Sequence, residues 1–87
     1  MARKLSMSFE EHKALGENLN TARETLMDAG MVIAEHYSKT SKEARKIFKV
    51  LDDLDMVRCL LDDRVFDEHR EKTTGELTRV YYPGGRG

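Results

Sequence analysis

The sequence predicts an all-α fold in which two long helices form an antiparallel hairpin, followed by a short extended tail. Two observations carry this prediction. Apolar residues recur at steps of three and four through most of residues 9–66, which is the spacing of one face of a helix. The chain also has no proline before Pro83, so no proline ring interrupts a helix earlier in the sequence. With 87 residues, the chain is expected to form one small domain.

The first helix is predicted at about residues 9–37. Ser8 and Glu11 stand in the S-x-x-E relation of a capping box, which satisfies backbone N–H groups at a helix start. Apolar residues then follow a heptad pattern at alternating steps of four and three: Leu15, Leu19, Ala22, Leu26, Ala29 and Ile33. Gly30 lies beside this row and is predicted to mark either a kink or a point of close backbone approach. Close approach is favoured, because the row keeps its phase across Gly30.

The second helix is predicted at about residues 40–72. Thr40 and Glu43 repeat the capping-box pattern at its start. The polar connection between the two helices is short, and a short connection makes two helices antiparallel neighbours. Residues 1–72 are therefore expected to form a helical hairpin.

Residues 73–87 are predicted to form an extended C-terminal tail. Thr73, Thr74 and Gly75 are expected to end the second helix, and the stretch ELTRVYY at 76–82 is rich in β-prone residues. A single strand cannot form a sheet. The tail is therefore expected either to lie along the hairpin or to pair with another chain.

The second helix carries more apolar residues than one face can hold. At about 100° per residue, one set falls within an arc of about 120°, the width of a core stripe: Ile47, Val50, Leu51, Leu54, Val57, Leu61 and Val65. The remaining set is predicted to form an oligomer interface: Phe48, Met56, Cys59, Leu60 and Phe66. Assembly of hairpins into a helical bundle, as a homodimer or larger homo-oligomer, is the favoured interpretation. The alternative is that the tail folds back and covers Phe48 and Phe66 with Val80 and Tyr81.

Arg58 falls inside the predicted core stripe. Asp55 and Asp62 stand three residues before it and four after it, so both lie within reach of its guanidinium. The favoured interpretation is a core ion pair of Asp55, Arg58 and Asp62 that fixes the register of the helices. The alternative is an arginine presented to a ligand.

Neither catalysis nor metal binding is expected. The carboxylates of residues 52–71 lie along one helix and point in several directions, whereas Mg²⁺ needs its oxygen ligands around one point. His12, His36 and His69 are scattered, and His12 and His36 fall near opposite ends of the first helix. No serine or cysteine has a visible base partner, and no Gly-rich phosphate loop occurs. The sequence therefore predicts a non-enzymatic protein without a metal or cofactor.

Composition limits the compartment and the class of partner. Cys59 is the single cysteine, so no disulfide can form within the chain. No signal-peptide pattern and no run of about 20 apolar residues occurs, so a cytoplasmic protein is expected. The 15 basic residues balance 16 acidic ones. Overall charge therefore predicts neither membrane nor nucleic-acid binding.

The connection and the first turns of the second helix carry a local excess of positive charge, here called the basic tip. Its cations oppose the dipole at a helix start, so they do not serve helix stability. Together with nearby hydroxyls and backbone N–H groups, they suit a phosphate or a carboxylate. The predicted binding residues are Tyr37, Lys39, Thr40, Lys42, Arg45, Lys46 and Lys49. An equally weighted alternative is that the basic tip meets the acidic residues 50–71 of a neighbouring hairpin.

The stretch KVLDDLDMV at residues 49–57 resembles the second helix of short helical hairpins that phages use against bacterial immunity. Those hairpins include sponges that sequester cyclic-nucleotide signals. The resemblance covers about residues 12–66, and the C-terminal RVYYPGG departs from it. The second apolar face and the absence of a catalytic set predict a non-enzymatic helical-hairpin protein that acts by protein–protein interaction, and the resemblance implies a phage or mobile-element accessory or inhibitor protein. The alternative is an oligomer that sequesters a phosphate-bearing ligand such as a cyclic nucleotide, in a site that combines the basic tip with Tyr37.

Overall fold

The structure is a computed structural model that describes residues 6–83 of the chain. Three helices make up this part: α1 (Phe9–Tyr37), α2 (Lys42–Glu68) and α3 (Thr74–Tyr81). The described residues contain no strand. The all-α class is therefore confirmed, and the two long helices contact each other as well as α3. None of the three helices is both long and apolar enough to cross a membrane.

Helix α1 begins at the predicted capping box. The backbone N–H of Glu11 donates to Ser8 Oγ at 3.1 Å, and the N–H of Ser8 donates to Glu11 Oε1 at 2.8 Å. The helix ends at Tyr37, and the N–H of Ser38 donates back to the carbonyl oxygen of Ala34 at 3.0 Å. Ser38 has a φ of 82°, a left-handed value that breaks the helix and turns the chain toward α2.

Helix α2 begins two residues later than predicted. Its N-cap is Ser41, whose Oγ accepts from the backbone N–H of Ala44 at 3.2 Å. Thr40 lies outside the helix, with its hydroxyl 3.2 Å from the hydroxyl of Ser38. Both Thr40 and Ser41 are good capping residues, and the hydroxyl that reaches the third N–H of the helix sets its start. The predicted capping box of Thr40 and Glu43 is therefore wrong by one residue.

The two long helices meet at three levels along their length. Near one end, His12 of α1 pairs with Glu68 of α2. In the middle, Arg23 pairs with Asp55. Near the other end, Gly30 is buried, and a Cβ added to it would lie 3.1 Å from the ring of Phe48. The nearest neighbours of Gly30 are thus the side chains of Phe48 and Ile47, so the contact predicted there is made with side chains of α2 and not with its backbone.

The extended tail predicted from residue 73 onward is wrong over the described part, because residues 74–81 form helix α3. Thr73 and Glu76 make a capping box, in which each residue's N–H donates to the other's side chain. Leu77, Val80 and Tyr81 are buried at the helical spacing of three and four. Burial of this face therefore outweighs the β preference of the isolated stretch. Residues 84–87 of the predicted tail lie outside the described residues.

The core lies where α3 packs across the first half of α1 and the second half of α2. Its buried apolar residues are Val65, Leu77, Val80 and Tyr81. A Cβ on Gly16 of α1 would overlap the backbone carbonyl of Val80, so the two backbones touch there. Only a residue without a side chain permits this contact. Gly16 thus fixes the position of α3 on α1.

Candidate functional site

The basic tip is fully open to solvent. Its five cations, Lys39, Lys42, Arg45, Lys46 and Lys49, are all exposed, as is Thr40. Tyr37 is 67% exposed at the end of α1. None of the ion pairs among the described residues uses any of the five cations. The Ser41 hydroxyl is already engaged, because it accepts from Ala44 N–H and donates to the Ser38 carbonyl. Side-chain cations are therefore what this region offers to a partner.

The residues predicted to form the oligomer interface divide into two groups. Phe48 packs against Gly30 of α1, and Phe66 packs against the core formed with α3. Both rings are half-buried within the chain, and their assignment to an oligomer interface stays a prediction. For Phe66, the C-terminal segment provides the cover, as the alternative interpretation had it. Met56, Cys59 and Leu60 remain exposed, Met56 and Leu60 by 60% and 59%.

The side of α2 that is buried differs from the predicted core stripe. Val50 and Val57, both in that stripe, are each 45% exposed. Arg58 and Asp62 are instead buried with Leu51 and Val65. At about 100° per residue, the centre of the buried side is therefore rotated about the axis of α2 by roughly one sixth of a turn from the centre of the predicted core stripe. The edge of the predicted stripe that holds Val50 and Val57 therefore lies at the boundary between core and solvent, while Leu51 and Val65 of the same stripe are in the core.

This rotation leaves an apolar surface on the two long helices, here called the open face. On α2, Val57 lies about half a turn from Phe66, which packs under α3. On α1, Ala22 lies about 120° from Gly16, where α3 touches the backbone. The open face therefore looks away from α3. Its members are Ala22, Leu26, Ala29 and Ile33 of α1 with Val50, Leu54 and Val57 of α2. All of them are half-buried or exposed.

Arg58 acts within the chain. It is buried, its Nη1 donates to Asp55 Oδ1 at 3.2 Å, and its Nη2 donates to the carbonyl oxygen of Tyr81 at 2.6 Å. Its guanidinium also lies 4.9 Å from the ring centre of Tyr82. The predicted pair with Asp55 is therefore present, and Arg58 points to α3. Asp62 is fully buried one turn further along α2.

Asp55 has a second partner that the sequence did not indicate. Arg23 of α1 donates from Nε to Asp55 Oδ1 at 2.9 Å and from Nη2 to Oδ2 at 3.4 Å. This hydrogen-bonded cation is the main reason that the pKa of Asp55 lies below its ordinary value, and Arg58 lowers that pKa further. Asp55 thus joins α1 to α2 and, through Arg58, to α3.

The least expected arrangement is a polar cluster that joins all three helices. His12 is fully buried, with its Nδ1 2.6 Å from the hydroxyl of Tyr81 and its Nε2 2.8 Å from Glu68 Oε1. The ring of His69 stands edge-on to that of His12, with centroids 5.6 Å apart. The main chain of Met7 completes the cluster: its N–H donates to Glu68 Oε1 at 3.2 Å, and its carbonyl oxygen accepts from His69 Nε2 at 2.7 Å.

Charge and burial shift the pKa values of two groups in this polar cluster. The hydrogen bond from His12 is the main cause that lowers the pKa of Glu68, so its carboxylate form is favoured. Burial, with the charge of Glu68 nearby, raises the pKa of Tyr81 to about 12. A phenol that keeps its proton can donate to His12 Nδ1 while Nε2–H donates to Glu68, and this arrangement satisfies all three groups.

Two of the three histidines therefore lie together, contrary to the expectation that all three are scattered. His12, Glu68 and His69 each offer one ligand atom, and these atoms lie within 4.8 Å of one another. His36 is apart from them and bonds the carbonyl oxygen of Val32 in its own helix. The cluster depends on the pairing of α1 with α2, because His12 and Glu68 are 56 positions apart in sequence. The sequence alone shows only that Glu68 and His69 are adjacent.

A groove of about 320 Å³ runs between α1 and α3. Lys13 and Arg79 line it together with Glu17 and Glu76, so its charges balance. Phe9 and Val80 form an apolar part of its wall. Nothing in this lining selects a ligand of one charge.

Comparison of the chain with protein-family models, curated proteins and solved structures finds no significant match. The resemblance of residues 49–57 to phage helical hairpins therefore stays a prediction. Three features of the described residues bear on function: the basic tip, the open face and the polar cluster.

Proposed function

We propose that the protein is a non-enzymatic interaction protein that assembles through its open face with the same face of a second copy. The two long helices of each chain would run antiparallel, and the pair of chains would form a helical bundle. The observation that carries this proposal is the exposure of Val50 and Val57, each 45%, within a row of apolar residues that spans both long helices.

The antiparallel arrangement is supported by the three levels at which α1 and α2 meet. His12 near the start of α1 lies beside Glu68 at the end of α2. Gly30 near the end of α1 lies beside Phe48 near the start of α2. The connection between the helices, residues 38–41, is also too short for α2 to return and run parallel to α1.

The heptad spacing of the open face favours another pair of helices as its partner. Residues 22, 26, 29 and 33 alternate steps of four and three, and so do residues 50, 54 and 57. This spacing suits side-by-side helix packing at a shallow crossing angle, as in four-helix bundles. A second copy presents the same spacing, so the open faces of two chains related by a two-fold axis can pack against each other. Each leucine or valine that becomes buried contributes roughly 1.5–3 kcal/mol before the costs of association.

The exposed part of the open face allows a direct test. Val57→Glu places a charge on that face without entering the core, so the chain should keep its helicity. Thr21→Glu, on the exposed side of α1, is the matched control. Sedimentation velocity at tens of micromolar should show a dimer or larger species for the wild type and for Thr21→Glu. Val57→Glu should sediment as a monomer. A monomeric wild type would overturn the proposal.

A second candidate function is favoured by the basic tip, whose five exposed cations have no carboxylate partner among the described residues. In this candidate, the oligomer sequesters a phosphate-bearing ligand such as a cyclic nucleotide, with Tyr37 as a stacking surface. Isothermal titration with cyclic mononucleotides and dinucleotides tests it directly. Saturable binding that weakens with added salt is the expected result. Absence of heat with both classes of probe would count against this candidate and leave the assembly proposal intact.

A further inference from the structure

We propose that His12, Glu68 and His69 form a site for a divalent transition-metal ion of the Zn²⁺ type. The site joins the beginning of α1 to the end of α2. Its donor set is two imidazole nitrogens and one carboxylate oxygen, which is a set that zinc and its neighbours in the first transition row prefer. The proposal is independent of assembly through the open face and concerns different residues.

The spacing of the three donor atoms suits one small ion. They lie within 4.8 Å of one another, and the closest pair, His12 Nε2 and Glu68 Oε1, is separated by 2.8 Å. Bonds of about 2.0–2.1 Å to a tetrahedral ion place ligand atoms roughly 3.3 Å apart. The His12–Glu68 pair therefore has to open by only about half an ångström, while His69 moves inward. Glu68 and His69 are half-buried, so their side chains have room to rotate toward the ion.

The main chain of Met7 shows which nitrogen of His69 turns toward the site. Met7 N–H donates to Glu68 Oε1 and His69 Nε2–H donates to Met7 O, so the carboxylate and this nitrogen lie beside the same residue. A divalent ion bound at Nε2 takes the place of this N–H···O bond, and the ring proton moves to Nδ1. The other nitrogen, Nδ1, lies 3.5 Å from Glu71 Oε2. An imidazole that binds a metal through one nitrogen is usually held by a carboxylate at the other. Glu71 stands where such a positioning group is needed.

Tyr81 holds the second imidazole in the same way. Its hydroxyl lies 2.6 Å from Nδ1 of the fully buried His12, so the ring is fixed with Nε2 facing Glu68. When Nε2 binds the ion, the imidazole proton resides on Nδ1 and is donated to the phenol oxygen. The neutral ring changes tautomer and no proton has to leave the protein. Groups outside the site thus orient the two imidazole donors, so that small side-chain movements bring the three ligand atoms to the ion.

The accessibility of the cluster allows an ion to enter. The side chain of His12 is 0% exposed, whereas those of Glu68 and His69 are 13% and 16% exposed. One side of the cluster is therefore closed by α3 and the other opens to solvent beside Met7. A site with three protein ligands and an open side leaves a coordination position for water or another small ligand.

Co²⁺ is the first probe, because a tetrahedral site gives it visible d–d absorption. The wild type, His69→Gln and His36→Gln should be titrated, all on a Cys59→Ser background that removes the thiol as a ligand. Gln keeps an N–H that can reach Met7 O, so His69→Gln should still fold, and His36 is the histidine outside the cluster. We expect saturable absorption with the wild type and with His36→Gln. Binding by His69→Gln should be at least tenfold weaker.

Zn²⁺ provides a second measurement that does not depend on colour. At about a hundredfold over the dissociation constant, it should raise the Tm of the wild type and of His36→Gln by about 10 °C or more, and that of His69→Gln much less. If His69→Gln fails to fold, Glu68→Gln serves in its place, because an amide oxygen still accepts from His12 Nε2–H. A wild type without saturable Co²⁺ absorption or a Zn²⁺ shift would overturn the proposal. Equal affinity of the wild type and a folded cluster variant would also overturn it.

Discussion

The hydroxyl of Tyr81 lies 2.6 Å from Nδ1 of His12, although 69 positions separate the two residues in sequence. Both side chains are fully buried. Tyr81 belongs to α3 and His12 to α1, and the far side of the His12 ring bonds Glu68 of α2. One hydrogen-bonded row therefore ties all three helices together at the end of the molecule where α3 packs.

Tyr81→Phe should destabilise the fold, because it leaves His12 Nδ1 buried without its partner. The cost of a buried, unsatisfied polar atom is about 1–3 kcal/mol in the free energy of unfolding. Tyr37→Phe removes the same hydroxyl at a side chain that is 67% exposed, and its effect should stay within about 0.5 kcal/mol. Urea unfolding followed by circular dichroism measures both changes. Equal stability of the two variants would show that the Tyr81–His12 bond adds nothing.

Asp55 should make stability depend on pH in the acid range. Its pKa is lowered in the folded protein from an ordinary value of 3.8, chiefly by the hydrogen bond from Arg23. A carboxyl with a depressed folded pKa stabilises the protein above its unfolded pKa, and this contribution is lost as pH falls through the folded value. The wild type should therefore be more stable than Asp55→Asn at pH 6, and the difference should shrink below about pH 4.

The control for this titration is Asp52→Asn, an exposed position on the same helix that forms no ion pair among the described residues. Its difference from the wild type should be small at both pH values, since exposed surface changes seldom exceed about 0.5 kcal/mol. Urea midpoints at pH 6 and pH 3 give the comparison. A pH-independent gap between the wild type and Asp55→Asn would mean that lost packing, and not lost charge, accounts for the effect.

Substitution by alanine should change the free energy of unfolding in opposite directions at two glycines, Gly16 and Gly75. Gly16→Ala forces a methyl group into the backbone carbonyl of Val80, so α3 must shift away from α1. We expect a loss of about 1–3 kcal/mol, the usual cost of overpacking. Gly75 lies in the first turn of α3, and an added Cβ meets nothing within 4 Å. Gly75→Ala should stabilise by up to about 1 kcal/mol through helix propensity and a less flexible unfolded chain. Thermal unfolding of the two variants checks both signs.

Local patterns in the sequence predict the start of α1 and a tight contact at Gly30. A capping box and a heptad row can be recognised from residues that are close together in sequence. The buried side of α2 is different. Arg58 and Asp62 lie at its centre. The positions of apolar residues alone therefore cannot locate the centre of this buried side, because charged residues occupy it. Helix α3 was missed for a related reason. The sequence contains its capping box at Thr73 and Glu76, but the burial that stabilises it comes from Val65 and Gly16, which belong to α2 and α1. The polar cluster likewise exists only once the helices pair.

The basic tip leads to the last prediction, made with Lys42→Glu and Arg45→Glu in one variant. Both positions lie in the first turns of α2, where acids interact favourably with the helix dipole and cations do not. The double variant should therefore unfold at an equal or higher temperature, with a gain of about 0.3–1 kcal/mol for each well-placed acid. Arg70→Glu, at the other end of α2, is the control, because it reverses an exposed charge away from the tip.

The same double variant separates the two roles that the basic tip could have. If the tip binds a phosphate-bearing ligand, titration with cyclic nucleotides should lose its heat while sedimentation still shows the oligomer. If the tip instead meets residues 50–71 of a neighbouring chain, the oligomer itself should weaken, and assembly of the wild type should loosen as salt rises, since exposed charges are screened beyond about 8 Å at physiological ionic strength. A variant that keeps both its mass and its ligand binding would exclude both roles and identify the cations as solvated surface. Arg70→Glu should behave as the wild type in both measurements, so a loss there would point to overall charge and not to the tip.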